Sequence, residues 1–263
     1  MRKILFAATF YDLSSTMLNR QTIFRHLSKL MGINRLGGLR LIRYFHKHPF
    51  FIISMLRKSQ SQISQDVFVA CQLELWNKSN TPGFFVEFGA TDGITMSNTY
   101  LFEKNFGWDG LLIEPARIWK DSLISNRSAN LDFRCVFNVS GQKVEFNESE
   151  DAVYSTIQDF SRNDIHSEAR KTGGSYLVET VTLQDVLESH HAPKQIDYLS
   201  IDTEGSEFLI LDCLDFAVWS FKVITVEHNF TAKRDLIYEL LTQNGYKRVL
   251  QKLSYMDDWY IKC

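Results

Sequence analysis

Cysteine is scarce in this chain, and what there is lacks a binding pattern. Cys71, Cys135, Cys213 and Cys263 are scattered without a Cys-x-x-Cys pair, which excludes a zinc cluster or a disulfide framework and points to a reducing compartment. Long apolar runs are missing as well. The run Phe50-Phe51-Ile52-Ile53-Ser54-Met55-Leu56 falls far short of the roughly 20 residues needed to cross a bilayer. Met1-Arg2-Lys3 and the apolar Ile4 to Phe10 open like a leader, but Tyr11-Asp12 interrupts them before any small-residue cleavage pattern. A cytoplasmic chain with neither signal peptide nor membrane span is expected.

Acidic residues are nearly absent from one part of the chain. Residues 1–58 hold 11 Lys+Arg and a single acidic residue, Asp12, whereas residues 59–263 hold 18 basic and 30 acidic residues. A net charge of -2 thus conceals parts of about +10 and about -12, which face different partners or each other. Residues 14–58 mix apolar and basic side chains, broken by Gly37-Gly38 and Pro49 into short helices. This basic helical extension, 1–58, suits either docking on the acidic remainder or peripheral contact with an anionic membrane surface, with Phe50 to Leu56 dipping into the interface.

From about residue 59 the pattern changes to short apolar strands alternating with amphipathic helices, which predicts a largely parallel sheet covered on both faces. Helices are expected over 64–78, 97–106, 116–125, 182–190 and 232–244. Strands are expected over 84–88, 110–113, 133–140, 142–146, 196–201 and 221–226. Residues 246–253 and 258–262 are expected to close the sheet as an antiparallel pair. The polar stretch 147–176 is too long for a plain connection and reads as a substrate-facing lid or an insertion.

The strand exits carry the chemistry. Phe84-Phe85-Val86-Glu87-Phe88-Gly89-Ala90-Thr91-Asp92-Gly93 ends an apolar run in a glycine turn. Gly89 and Gly93 let the backbone approach a ligand closely. Glu114 stands at the tip of the next strand, about 20 residues beyond that turn, where a carboxylate accepts hydrogen bonds from ribose hydroxyls. Asp202-Thr203-Glu204-Gly205-Ser206-Glu207 and Glu227-His228-Asn229 follow two further strands. Ligands of open α/β sheets bind at the carboxyl ends of strands, so Glu87, Glu114, Asp202 and Glu227 should converge on one crevice.

Several ordered stretches, from Ser61-Gln62-Ile63-Ser64-Gln65-Asp66 through Val86 to Gly93, Ser97-Asn98-Thr99, Gly107 to Pro115 and Asp197 to Glu207, to Val226-Glu227-His228-Asn229, resemble the FkbM family of S-adenosylmethionine-dependent methyltransferases. The resemblance runs from about Ser61 to the end and does not reach residues 1–58. It implies an α/β class I methyltransferase fold, Rossmann-like, with a seven-stranded, mostly parallel sheet, a terminal antiparallel hairpin and a domain spanning 59–263. It also implies that Glu87, Gly89, Asp92 and Gly93 surround the methionine end of the cofactor and that Glu114 meets its ribose. Ser97 and Asn98 would offer donors to the cofactor carboxylate, although Ser97 also suits a plain helix cap. Gln65 and Asp66 would close over the cofactor or form a hydrogen-bonded pair at the helix start.

Methyl transfer to a hydroxyl requires alignment and removal of a proton. Asp202, Glu204 and His228 are the candidate bases; the alternative for Glu204 is to hold the Gly205 turn, and for His228 to be a satisfied core histidine. Alternatively Asp202, Glu227 and Asn229 hold a divalent cation such as magnesium against the acceptor oxygen. The expected reaction is O-methylation of a glycan, polysaccharide, lipid-linked sugar or similar product. The other function considered is a non-catalytic scaffold that holds a membrane or partner through its basic extension. Gly89 to Gly93 lacks the Gly-x-Gly-x-x-Gly spacing of nicotinamide enzymes. The acidic main part would repel nucleic-acid phosphates, so no nucleic-acid partner is expected.

Overall fold

The computed structural model describes residues 36–77, 82–148, 156–157 and 174–263. The chain divides into two compact units at Lys58 and Ser59. In the first, α1 (Leu36–Tyr44) and α2 (Pro49–Lys58) are short helices. Pro49 opens α2, where the missing N–H costs nothing, but Gly37 and Gly38 lie in the first turn of α1 rather than breaking it. Residues 14–35 of the expected helical extension lie outside the described residues. Of the run expected to dip into a membrane, Ile52, Met55 and Leu56 are buried, while Phe50 is exposed.

The second unit is built on a seven-stranded sheet. In chain order it comprises α3 (Gln65–Gln72), β1 (Phe84–Phe88), α4 (Tyr100–Phe106), β2 (Asp109–Ile113), α5 (Lys120–Asn126), β3 (Asn130–Asp132), β4 (Cys135–Val136), β5 (Lys143–Glu148), β6 (Thr156–Ile157), β7 (Gly174–Val181), α6 (Leu183–Ser189), β8 (Gln195–Ile201), α7 (Glu207–Asp212), β9 (Ser220–Glu227), α8 (Lys233–Gln243), β10 (Tyr246–Val249), α9 (Gln251–Ser254) and β11 (Asp257–Lys262). The main sheet runs β10-β11-β9-β8-β1-β2-β3. All neighbours are parallel except β11, which is antiparallel to both β9 and β10.

Strand alternation divides the unit into two packed faces. Val86, Phe88, Leu111, Ile113, Leu199, Ile201, Ile224 and Val226 form one continuous core with Val186 and Leu187 of α6, Ile210 and Leu211 of α7, and Ile237 and Leu241 of α8. On the other face Phe102 of α4 stacks on Trp108 at 4.7 Å, and Phe68 of α3 stacks on Trp259 at 4.5 Å. Gly110 is required here, because a Cβ at that position would sit 2.2 Å from the Phe85 ring. Thr182 caps α6 by accepting the Asp185 N–H at 3.1 Å, while Ser140 Oγ accepts the Thr182 N–H and donates to Asp185.

Three expectations are corrected. The third strand of the main sheet is Asn130–Asp132, not 133–140. Asp132 receives Arg134 Nη2 at 2.6 Å and His190 Nε2 at 2.9 Å, and the chain leaves the sheet at this clamp. Residues Cys135–Val136, Lys143–Glu148, Thr156–Ile157 and Gly174–Val181 form a second sheet in the order β4-β7-β5-β6. Its strands β5 and β7 border the stretch read as a lid, most of which lies outside the described residues. Finally, the closing strands are not joined by a simple turn: Leu250, at φ 53, ends β10, and α9 precedes β11.

Candidate active site

A cavity opens at the carboxyl ends of β1, β2, β8 and β9. It encloses about 1300 Å³, counting the part open to solvent. Glu87, Asn98, Glu114, Asp202, Glu204 and Glu227 line it with Gln65, while Ile113, Pro115, Val136, Phe146 and Ile157 supply an apolar wall. The second sheet provides Val136, Phe146 and Ile157, none of which the sequence marked. Among the described lining residues five are acidic and none is Lys, Arg or His.

Glu87 organises the first end. Its carboxylate accepts the Ser97 hydroxyl at 2.9 Å, the Thr99 hydroxyl at 2.5 Å and the Asn98 N–H at 2.5 Å. Burial pushes its pKa upward, opposed by the Arg127 guanidinium and by these donors. Arg127, unmarked by any motif, is fully buried; it donates to Glu103 at 2.6 Å, to the Gly93 carbonyl at 3.0 Å, to Ser97 at 3.1 Å and to Thr99 at 3.0 Å. Gly93 makes room for it, since a Cβ there would lie 2.6 Å from Arg127 Cγ.

These contacts separate residues that reach the cavity from residues that hold its walls. Glu87, Gly89, Asn98 and Glu114 line the cavity; Asp92, Gly93 and Ser97 stand behind it. Asp92 folds the loop by accepting the Ile94 and Thr95 N–H groups at 2.8 and 2.7 Å. At Gly89 a Cβ would fall 2.3 Å from the Asp202 carbonyl oxygen, so its missing side chain lets the exits of β1 and β8 meet. Gln65 reaches the cavity and donates to Asp257 at 2.9 Å. Asp66 turns away, accepting the Ser61 hydroxyl at 2.5 Å and the Val67 N–H at 2.8 Å, so of the expected pair only Gln65 faces a ligand.

Glu114 is fixed at the exit of β2 by two backbone donors. One oxygen accepts the Thr91 N–H at 2.9 Å and the other accepts the Ala116 N–H at 2.8 Å, and each oxygen keeps further acceptor capacity. Burial raises its pKa to about 7. Across the cavity, oxygens of Asp202, Glu204 and Glu227 lie within 4.8 Å of one another. Burial lifts Asp202 to about 6, and Glu227 is driven well higher by burial and by the Asp202 charge. Two adjacent buried carboxylates do not both ionise easily, and the pair's second charge is disfavoured at Glu227.

His228 does not join them. The pairing of Glu227 with Asp257 and the His228 N–H bond to the Met256 carbonyl at 2.9 Å fix the strand parity, which sends Glu227 into the cavity and His228 away. The His228 ring is buried, and its Nδ1 accepts the Phe230 N–H at 3.0 Å. The expectation of His228 as a candidate base is therefore corrected in favour of its alternative, a buried core histidine, and the strand's cavity-facing group is Glu227.

A seven-stranded, mostly parallel sheet with an acid-lined cavity at the carboxyl ends of its strands defines a class I methyltransferase domain. Residues 87–253 match the model of the Methyltransferase FkbM domain, and the chain belongs to that family, whose members use S-adenosylmethionine. No curated protein matches it significantly by sequence. Among solved structures, one described as methyltransferase FkbM from Methylobacillus flagellatus KT is 11% identical with a TM-score of 0.42; the match covers 77% of this chain and 56% of that one, so this chain spans little more than half its length. Precorrin-6y C5,15-methyltransferase from Geobacter metallireducens GS-15 is 10% identical, with a TM-score of 0.39 and 70% and 71% of the two chains covered. The human methyltransferase 10 domain containing protein is 12% identical, with a TM-score of 0.38 and 75% and 80% covered. The assignment rests on the family match and the sheet itself, not on likenesses of this size.

The cavity residues fit S-adenosylmethionine. Glu114 suits ribose hydroxyls, the apolar wall suits a base, and Asn98 Oδ1 is buried without a partner, ready to accept from an ammonium group. Asp202 and Glu227, acids of the lining, suit a positively charged sulfur.

Proposed function

We propose that this chain methylates a hydroxyl group of a neutral glycan, lipid-linked sugar or related product. The observation that carries this reading is the carboxylate cluster of Asp202, Glu204 and Glu227 in the same cavity as Glu114. S-adenosylmethionine, when bound, supplies an electrophilic methyl on a cationic sulfur. Asp202, held near 6 by burial, is ionised at neutral pH yet basic enough to take the proton that the acceptor hydroxyl sheds. Glu227, which burial and the Asp202 charge bias toward its protonated form, keeps Asp202 as the cluster's more readily ionised group, and Glu87 fixes the wall through Asn98. Five lining acids with no basic residue among the described lining disfavour a phosphate-rich acceptor, which supports the expectation that nucleic acid is not the substrate.

The reading includes a hard divalent cation such as magnesium. Asp202, Glu204 and Glu227 would hold it, and it would supply Lewis acidity that eases loss of the hydroxyl proton. The test is transfer of labelled methyl from S-adenosylmethionine to a panel of sugars, sugar alcohols, amines and oligonucleotides, with and without magnesium. Label in neutral hydroxyl compounds, as base-stable ethers, is expected. Label confined to amines or oligonucleotides would overturn the proposal.

A further inference from the structure

Two large aromatic side chains stand in water beside the cavity. Phe230 is 58% exposed and Tyr255 is 65% exposed, and their rings meet edge to face at 5.7 Å and 78°. Both belong to segments that shape the cavity: Phe230 lies three residues beyond Glu227, and Tyr255 precedes Met256, each of which lines it. The two segments are joined by the His228 N–H bond to the Met256 carbonyl at 2.9 Å.

Both backbones are held in an unfavourable conformation. Phe230 has φ 58 and Tyr255 has φ 50 with ψ -99, a geometry that bulky residues avoid and that persists only when its surroundings impose it. Surroundings that impose it on Phe230 are visible. His228 Nδ1 accepts its N–H at 3.0 Å, the His228 ring abuts the Phe230 ring edge to face at 5.2 Å, and Thr231 N–H bonds back to the His228 carbonyl at 2.8 Å.

We infer that Phe230 and Tyr255 form the acceptor platform, which takes the C–H face of a neutral saturated ring such as a pyranose, and that His228 is its positioning residue. The inference rests on the hydroxyl-methylating reading and names the part of the acceptor that is held. A flat aromatic face exposed to water matches the apolar face of a sugar ring, while the ring's hydroxyls project from its edge toward the acid end. A flexible acyl chain would need an enclosing groove, and two crossed rings do not make one. An anionic ring that reached from the platform into the cavity would approach acidic lining residues, beginning with Glu227 on Phe230's own segment.

Saturation-transfer NMR on the full chain tests this with methyl α-D-glucopyranoside, methyl α-L-rhamnopyranoside, methyl glucuronoside and n-octanol as probes, beside calorimetric titration of S-adenosylmethionine. Ring C–H protons of the neutral pyranosides should receive saturation from the natural chain. Affinity should fall about tenfold in Phe230→Ala and Tyr255→Ala, recover in Tyr255→Phe, and fall in His228→Leu but not in His228→Asn, whose amide can accept the Phe230 N–H. S-adenosylmethionine affinity should be unchanged in all five variants. Pyranoside binding that is absent, or untouched by the alanine variants, would overturn the platform, as would stronger transfer to octanol or the glucuronoside. Pyranoside binding without methylation of any hydroxyl would instead defeat the proposed reaction and leave the platform standing.

Discussion

At the Glu87 end of the cavity a buried carboxylate is met by three hydrogen-bond donors and a nearby guanidinium, whereas at the Asp202 end three carboxylates crowd within 4.8 Å of one another. The first arrangement is complete in the protein itself: Glu87 ties β1 to the start of α4, and Arg127 ties both to the end of α5. The second crowds like charges, and burial with the Asp202 charge pushes the Glu227 pKa well above the usual carboxylate range. The first arrangement therefore supports the fold and positions the wall, while the second holds carboxylates of raised proton affinity.

Substitutions at the two ends should fail in different ways. Asp202→Asn should lower kcat by about 10² to 10⁴-fold while the melting temperature does not fall and affinity for the uncharged-sulfur product S-adenosylhomocysteine holds; an undiminished kcat would remove Asp202 from the chemistry. Arg127→Met should do the reverse. It strands Glu103 and Glu87 without their cation and should cost about 3–5 kcal/mol in urea unfolding, and a loss below about 1 kcal/mol would show that the network is ornamental.

The pH response sharpens the contrast. Burial raises Glu114 and Asp257 to about 7 and Asp202 to about 6, all above an unfolded carboxyl near ~4. The folded chain then binds more protons than the unfolded chain, so stability from these groups is full below about pH 4 and is lost as pH rises toward 7. Magnesium should reverse that loss at the acid end. Its thermal shift should be larger at pH 8 than at pH 5 and smaller in Glu227→Gln; a shift independent of both would deny the cation.

The smallest effect is expected outside the domain. If the basic residues of 1–58 attract an anionic membrane, sedimentation with phosphatidylserine vesicles should weaken as salt is raised and on deletion of that segment. Binding that ignores salt would exclude electrostatic attachment.

The sequence disclosed the strand-tip residues well and the supporting contacts poorly. Glu114 and Asp202 were legible because an apolar strand followed by a carboxylate and a glycine turn is a local pattern. Asp92 and Gly93 belong to the same pattern, yet only folding shows that they brace the loop. His228 was misread because Glu227 and His228 are adjacent, and which of them faces the cavity is set by pairing with β11, a contact about 30 residues distant in sequence. The second sheet left little trace, since β4 is two residues long and β5 and β7 alternate with exposed charged residues such as Lys143, Glu145 and Glu179. Arg127 left none, because its partners are drawn from Glu87 to Glu103 and no motif of its own surrounds it.

The central claim is that the Glu114 cavity binds S-adenosylmethionine, and calorimetric titration with S-adenosylmethionine and S-adenosylhomocysteine tests it without knowledge of the acceptor. Saturable binding by the natural chain, weakened by roughly ten- to a hundredfold in Glu114→Ala, is the predicted result. A folded chain that binds neither compound, with or without magnesium, would contradict the claim and leave a methyltransferase scaffold without its chemistry.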